Sequence, residues 1–506
     1  MPDEITLQYN AKDALAQRVS HDAFMGELVT KGLIATYDFT MSLYDPLMYM
    51  MTRGVRVDKE KLKSAKIKIE KEIEVLQTRI HELCGRDLNP NSPKDCIKYF
   101  YFEKNIPPYF KKNLKGESVM TCDDRALTRI ARGGASRQGL YEAKLIQEWR
   151  TRKKLMGTYL EVMFDEDGRL RCQYKPRGSR FGRFSSAPTV FKTGLNMQNV
   201  PEVFRVFVVA DDGKIFVARD LRQAEWIVVA YQTGDDNMLK VVEEGRDPHT
   251  YTAAGMYGAP EELIRLDHKL CGHSSDPEEI EELRSRHPDI GRYAKWLPRN
   301  RSMRQGGKKA NHGLNYDETY KMFALDNEVT EQEAKRTVES YHSLYPGIRK
   351  NYERIKRQLG RDRTLVNPFG RSYTFKQPWG DPLFKAAYAF TPQSTVADVL
   401  NQGMRRVYHD CSDITDTWEL MFQVHDELGT QEDVEGLSME GLRYGRDLHL
   451  VPVHMNGRDF TIPVDTKIGF SWGQMTEVDV DKLTSSELVV LKSEMKEAFY
   501  GNAQAK

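Results

Sequence analysis

No stretch of the 506-residue sequence approaches the roughly 18 consecutive apolar residues that a membrane-spanning helix needs, so that class is excluded. The N-terminal residues MPDEITLQYN are acidic and lack the basic-then-apolar order of a secretory signal. Cysteine is scarce: six residues (84, 96, 122, 172, 271, 411) are scattered over the chain. That excludes a disulfide framework and suits the reduced thiols of an intracellular, cytoplasmic protein. Charge of one sign is missing too. Lys and Arg number 75 against 74 Asp and Glu, a net charge of +1, so total charge points to no polyanionic partner. There is no internal repeat and no low-complexity tract. What remains is an ordinary globular composition, 40% hydrophobic, and a length suited to roughly two to four domains at about 150 residues each.

The distribution of charge says more than its sum. Basic residues bunch at 150–154 (RTRKK), 175–183 (KPRGSRFGR) and 299–309 (RNRSMRQGGKK). Acidic residues bunch at 276–282 and in the tail. One basic cluster is usually a solvated face; three of them beside candidate metal carboxylates suit a polyanion held close to those carboxylates.

Apolar positions at helical spacing (Leu15, Val19, Phe24, Leu28) predict a helix over 1–35. A buried helix ending at Gly54 is expected next, then a long amphipathic helix over 60–83, broken at 85–93, and another helical stretch over 138–164. From 165 the texture changes. Short strand-like runs (FRVFVVA, KIFVARD) alternate with Gly/Asp turns. Residues 234–365 read as helical and charged, 369–473 as mixed, and the tail as charged and ending in one surface helix. The fold class is therefore mixed α+β: a central sheet with one helical lobe before it and another inserted into it.

Two short acidic motifs stand out. Asp220 ends the strand-like run KIFVARD, and Asp426 ends WELMFQVHD. Two carboxylates held together on rigid strands repel unless a positive charge lies between them. A pair of divalent cations is the usual solution, and it serves in-line displacement at phosphorus. That much fits a nuclease or a phosphatase as well as a polymerase. A third motif, RQGGKKANHGLNY, sets Arg304, Lys308, His312 and Tyr316 four apart, along one face if the segment is helical. Two cations, an imidazole and a phenol in that order suit a nucleoside triphosphate lying along a helix.

Together the segments resemble family A DNA polymerases, the group of bacterial DNA polymerase I and related phage replicative enzymes. DLRQAE is similar to that family's motif A, RQGGKKANHGLNY to motif B and QVHDEL to motif C. FGRFSSAP, NMQNVP, DPHTYTAAGMYG, NPFGR, FTPQSTVADVL and IGFSWG follow in register, and RVDKEKL, NPNSPKD and EWRTRKKLMGTYL resemble segments bounding the thumb. The resemblance implies a right-hand fold: an antiparallel-sheet palm, a helical thumb and helical fingers. Its implied division is a docking segment at 1–35 left over from an exonuclease domain, a palm lead-in at 36–60, thumb 61–164, palm 165–233, fingers 234–368, and palm with tail 369–506.

The resemblance also implies roles. Asp220 and Asp426, with the Leu221 carbonyl, would ligate two Mg²⁺ ions, for which Mn²⁺ could substitute. One ion would act on the primer 3′-hydroxyl and the other on the triphosphate. Glu427 would be an accessory carboxylate. Arg304, Lys308 and His249 would bind the phosphates of the dNTP, with Lys308 also protonating the leaving pyrophosphate. Glu225, bonded to Tyr316, would act as a steric gate against a ribose 2′-hydroxyl. Arg183, Gln198, Asn199, Arg371, Gln393 and His425 would hold primer–template DNA, largely through phosphates and the minor groove, whose acceptors are shared by all base pairs.

Several positions depart from the pattern. His312 stands where the family has Phe or Tyr near the nucleotide sugar, and Asp317 replaces a glycine. Gly306 and Gly307 each cost a helix about 1 kcal/mol relative to alanine; they ease bending or have no consequence. The segment 259–303 is long for the family. Its His268, Cys271, His273 and His287 lack a second compact cysteine pair, so it reads as a polar insertion and not as a zinc site. YNAKDA (Tyr9 to Ala14) resembles the last motif of the family's 3′–5′ exonuclease, yet Asp13 alone cannot hold two metals. The expectation is no proofreading by this chain on its own: either a separate exonuclease polypeptide docks on 1–35, or that half was lost or removed. No thumb insertion suggests a processivity partner. Two other readings are a single-subunit RNA polymerase, against which Glu225 and QVHDEL argue, and a non-catalytic primer–template-binding subunit. Retention of Asp220, Asp426, Arg304 and Lys308 together argues against the second.

Overall fold

A computed structural model describes residues 4–113, 116–133, 138–293 and 300–504, with side chains described to residue 500. The stretch 294–299, which includes the first residue of the basic run at 299–309, lies outside the described residues.

Helix α1 (Glu4–Thr30) has no buried residue. Leu15, Val19 and Phe24 are all more than 60% exposed. The expected single helix before Gly54 is instead two, Ile34–Met41 and Tyr44–Arg53. Pro46 explains the break: it has no N–H and its ring excludes a helical carbonyl four residues back. Gly54, at φ 65°, ends the second. Strand β1 (Arg56–Val57) leads into α2 (Lys59–Cys84). Asp58 accepts a hydrogen bond from the Lys61 amide at its start, and Gly85 closes it in a left-handed conformation. Helix α3 (Tyr141–Lys154) packs along α2 around Ile80, Phe100, Ile146 and Trp149, a core separate from that of the sheet. The helical stretch predicted over 138–164 is shorter than expected and runs out through a wider π turn at Leu155–Leu160.

The run FRVFVVA was expected to be a strand. Its first two residues close a short helix, Glu202–Arg205, and only β2 (Val208–Val209) is a strand. Pro201, fixed near φ −70°, starts that helical turn. The other sheet strands are β3 (Lys214–Leu221), β4 (Glu419–Val424), β5 (Glu427–Asp433), β6 (Val464–Ser471) and β7 (Gln474–Val478). Their order is β1-β2-β6-β3-β5-β4, with β7 also on β6, and every pairing is antiparallel. Side chains alternate across β3 as period two requires. Phe216 enters the main core, while Ile215 and Val217 enter a second core on the other face. There the tail starts as a strand, β7, and ends in a helix, Ser485–Gln504. Leu488 of that helix is buried in the second core.

Between β3 and β4 lies the second helical lobe. Gln223, at φ 52°, turns the chain from β3 into α4 (Ala224–Thr233). Then come α5 (Pro248–Tyr257), α6 (Glu261–Cys271), α7 (Pro277–Ser285) and α8 (Met303–Leu314). Later helices include α9 (Glu331–Leu344), α10 (Pro346–Asp362) and α11 (Asp381–His409). The expected extension of α8 through Tyr316 is not seen: the helix ends at Leu314, and Asp317 is left-handed at φ 61°. Among the described residues, no helix is long and apolar enough to cross a membrane.

Candidate active site

Asp220 is the penultimate residue of β3. Asp426 sits in the two-residue turn joining β4 to β5, where His425 adopts φ 55°. The Leu221 amide donates to the Asp426 carbonyl at 3.0 Å, so the backbone ties the two aspartates together. Register adds more acid: Asp220 faces Glu427 across β5 and Asp465 across β6. Burial pushes the Asp220 carboxyl above its ordinary range, Lys467 opposing the shift at 3.4 Å. Burial pushes Asp426 up to about 6, with Glu225 and Asp220 adding to the rise and Arg183 opposing it. Excess negative charge in a half-buried site is a place for a cation. Two carboxylates beside a backbone carbonyl suit Mg²⁺, which keeps waters and substrate phosphates as its other ligands.

Glu427 lies outside this cavity. Its Oε1 accepts from Trp472 Nε1 at 2.8 Å, and burial raises its pKa. Arg183, a residue expected on DNA, bridges two carboxylates. Its Nη2 lies 2.5 Å from Glu225 Oε1 and 3.1 Å from Asp426 Oδ1. Uncompensated acid from two elements draws in a cation, and residue 183 lies in the segment joining the paired short strands Gln173–Lys175 and Ser185–Ala187.

One cavity of ≈ 310 Å³ joins Asp220, Leu221, Asp426 and Asp465 on the sheet side to Arg304, Lys308, His312, Tyr316 and His249 opposite. Ser302 and Gln305 form a capping box at the start of α8. Arg304 is held by Asp247, with Nε 2.7 Å from Oδ2 and Nη2 3.0 Å from Oδ1. The same Asp247 caps α5 through the Thr250 amide, so the arginine links both helices. The His249 and His312 rings lie 6.2 Å apart. Burial lowers His249 to about 3, which leaves it neutral near pH 7. The Tyr316 hydroxyl donates to Glu225 Oε2, although Tyr316 lies past the helix end. Gly307 allows α8 to touch α5: a Cβ there would lie 2.2 Å from the His249 carbonyl oxygen.

A second cleft, of ≈ 550 Å³, is lined by Gln198, Asn199, His425, Lys154 and Tyr159. Gln198 braces the hairpin: its Nε2 donates to the Gln423 carbonyl at 2.8 Å, and its Oε1 accepts from the His425 amide at 3.0 Å. Arg371 pairs with buried Asp398 at 2.6 Å and lies against Gly182. Gln393 is half-buried on α11.

The segment 259–303 holds the start of α8. Arg284 on α7 meets fully buried Asp267 at 2.7 Å, and Asp267 accepts from the Met303 amide at 2.6 Å. His268 bonds Ser302, and Cys271 donates to Asp267, so each is engaged separately. Among the described residues, no three His, Cys, Asp or Glu side chains are arranged to hold a metal.

Sequence reasoning missed Asp465, Lys467 and Asn311. The first two lie two apart on β6 just before IGFSWG, so strand alternation would have put them on one face. Asn311 had no local signal, because its partners come from other helices.

An antiparallel sheet thus presents paired aspartates to a helix with a basic face across one cavity, a place for cations together with an anionic ligand. The model of DNA polymerase family A matches residues 59–269 and 294–474. The chain belongs to that family. Residues 270–293, which include α7, fall outside the match. DNA polymerase I, thermostable, of Thermus aquaticus is 26% identical over 400 residues, covering 76% of this chain and 42% of that protein. DNA polymerase I of Geobacillus stearothermophilus is 24% identical over 468 residues, covering 87% and 44%. The chain thus spans less than half the length of these relatives. The POL domain of Pol1 from M. smegmatis, in complex with DNA primer-template and dNTP, superposes with a TM-score of 0.72. It is 19% identical, over 89% of this chain and 73% of that one, and shows a shared fold.

Proposed function

We propose that the chain is a template-directed DNA polymerase that transfers dNMP from a dNTP to a primer 3′-hydroxyl. The 3′-oxygen bonds to the α-phosphorus, the bond to the β-phosphate's bridging oxygen breaks, and pyrophosphate leaves. The observation carrying this reading is the single cavity between Asp220 and Asp426 on one wall and Arg304 and Lys308 on the other. Asp220, Asp426 and the Leu221 carbonyl would hold two Mg²⁺ ions, or Mn²⁺ in their place. When bound, such ions lower the pKa of the attacking hydroxyl and neutralise charge on the phosphates. Arg304, Lys308 and His249 bind the triphosphate, and Lys308 gives a proton to the departing pyrophosphate. Glu225, fixed by Tyr316, closes the space a 2′-hydroxyl would need, with His312 beside the sugar. Glu427 supports the acidic edge from under Trp472.

Primer–template DNA runs over the cleft of Gln198, Asn199 and His425, past Gln393 and Arg371. Arg183 exchanges its carboxylate partners for the minor groove when duplex and cations arrive. In this reading 61–164 is the thumb, 234–368 the fingers, and 36–60, 165–233 and 369–506 the palm with its tail. The exposed apolar residues of α1 support docking of a separate 3′–5′ exonuclease polypeptide on 1–35, in a phage-type arrangement. Asp13 is exposed on that helix, and a single carboxylate there would need others from a partner to hold two metals. All six cysteines are free, which supports a cytoplasmic setting.

Primer extension with Mg²⁺ and either dNTPs or rNTPs is the test. Preferred use of rNTPs would instead favour an RNA polymerase, and no extension with either would favour a binding subunit. Asp426→Ala should abolish extension while leaving duplex binding largely intact; persisting activity would overturn the assignment of the aspartates. Excision of a 3′-mismatch by the chain alone would overturn the exonuclease reading.

A further inference from the structure

His249 carries a hydrogen-bond polarity that its neighbours dictate. A neutral imidazole has one N–H and one acceptor nitrogen, and the partner of either decides the tautomer. Here the partner of Nδ1 is Asn311 Nδ2, 3.0 Å away. An asparagine amide could be turned either way, so its other contacts must be read. Trp226 Nε1, which can only donate, lies 3.1 Å from Asn311 Oδ1. The Thr252 hydroxyl donates to the same oxygen at 3.0 Å. On the other side the Pro248 carbonyl, which can only accept, lies 3.3 Å from Asn311 Nδ2. Both obligatory contacts set the amide the same way, with its NH₂ toward His249. Nδ1 must therefore accept, and the ring proton resides on Nε2.

Every member of this chain is buried: Thr252 is fully buried, Asn311 is 2% exposed, Trp226 4% and His249 7%. An inverted amide would set two acceptors face to face at Pro248 and two donors at Trp226, without water to relieve them. We propose that Asn311 is a positioning residue that locks His249 in its Nε2-protonated tautomer, so that the ring offers a fixed N–H donor to the triphosphate of the incoming nucleotide. The proposal rests on the polymerase reading for its ligand, but not for the tautomer itself. It assigns Trp226, at the start of α4, a share in setting that donor through the Asn311 oxygen. It also connects three helices, α4, α5 and α8, to one proton.

The test begins with ¹⁵N NMR of histidine-labelled protein, the His249 signals being identified by their loss in His249→Gln. A pyrrole-type Nε2 and a pyridine-type Nδ1 are expected at pH 7. Protonated Nδ1 in the wild type would overturn the proposal whether or not the chain extends primers. Asn311→Asp replaces the donor by an acceptor and should move the proton to Nδ1. Its KM for dNTP should rise at least about tenfold, the effect of losing one hydrogen bond to a charged group, with a smaller change in kcat. In the His249→Gln background, where the amide donor has no tautomer, Asn311→Asp should add little. An undiminished additional loss there would mean that Asn311 acts only as a structural residue, and the proposal would fall. If Asn311→Asp does not fold, the wild-type spectrum still decides.

Discussion

Gly307→Ala tests how closely two helices must approach to assemble the cavity wall opposite the aspartates. An added Cβ would lie 2.2 Å from the His249 carbonyl oxygen, 3.0 Å from the Ala253 amide nitrogen and 3.1 Å from Ala253 Cβ. Ordinary C···O contacts are about 3.3 Å or longer, so α5 and α8 would have to separate by roughly 1 Å. The atoms struck are mostly backbone, and no rotamer change relieves them. Overpacking of this kind costs about 1–3 kcal/mol, offset by about 1 kcal/mol from alanine's better helix propensity. A net loss of up to about 2 kcal/mol is expected. The functional loss should be larger, because α5 carries His249 and α8 carries Arg304 and Lys308. A misplacement of about 1 Å can reduce rate by about a hundredfold. Gly360 is the control: it sits in α10 with nothing within 4 Å of an added Cβ, so Gly360→Ala should stabilise by about 0.5–1 kcal/mol. Urea unfolding midpoints and dNTP KM in primer extension should be measured for both. If Gly307→Ala is as stable as Gly360→Ala with unchanged KM, the close-contact argument is wrong.

Two further outcomes follow from the same geometry. Glu225→Ala removes the partner of both Arg183 and Tyr316 and should raise rNTP use relative to dNTP use by about tenfold or more, about 1.4 kcal/mol of discrimination; an unchanged ratio in competition assays would exclude the gate. His249 and His449 are pushed down to about 3 and His342 to about 4, each chiefly by burial. The unfolded chain binds these protons near pH 6.5 while the folded one does not. Their contribution is therefore complete above pH 6.5 and is lost as pH falls, by up to about 1.4 kcal/mol per pH unit for each. His449→Gln should flatten that acid slope between pH 6.5 and 4 in urea titrations, and an equal slope would refute it.

The sequence by itself determined the local features. KIFVARD reads as a strand because it is a short apolar run bounded by turn residues, and its last polar residue is Asp220. The turn after FQV presents Asp426 for the same reason. The long amphipathic α2 and its glycine stop are equally local, as is the basic face of α8 through His312. What only the tertiary structure decided depends on register and on contacts between distant segments. Asp465 joins Asp220 because β6 pairs with β3, and Arg183 reaches Glu225 and Asp426 from a segment more than 40 residues away in sequence. Gly307 is needed as a contact point, which no reading of α8 in isolation could show. The polarity of His249 is the furthest such case: three helices converge on one buried amide. Periodicity along the chain records which face of an element is buried, but not which partner it meets, since that depends on how the elements pack.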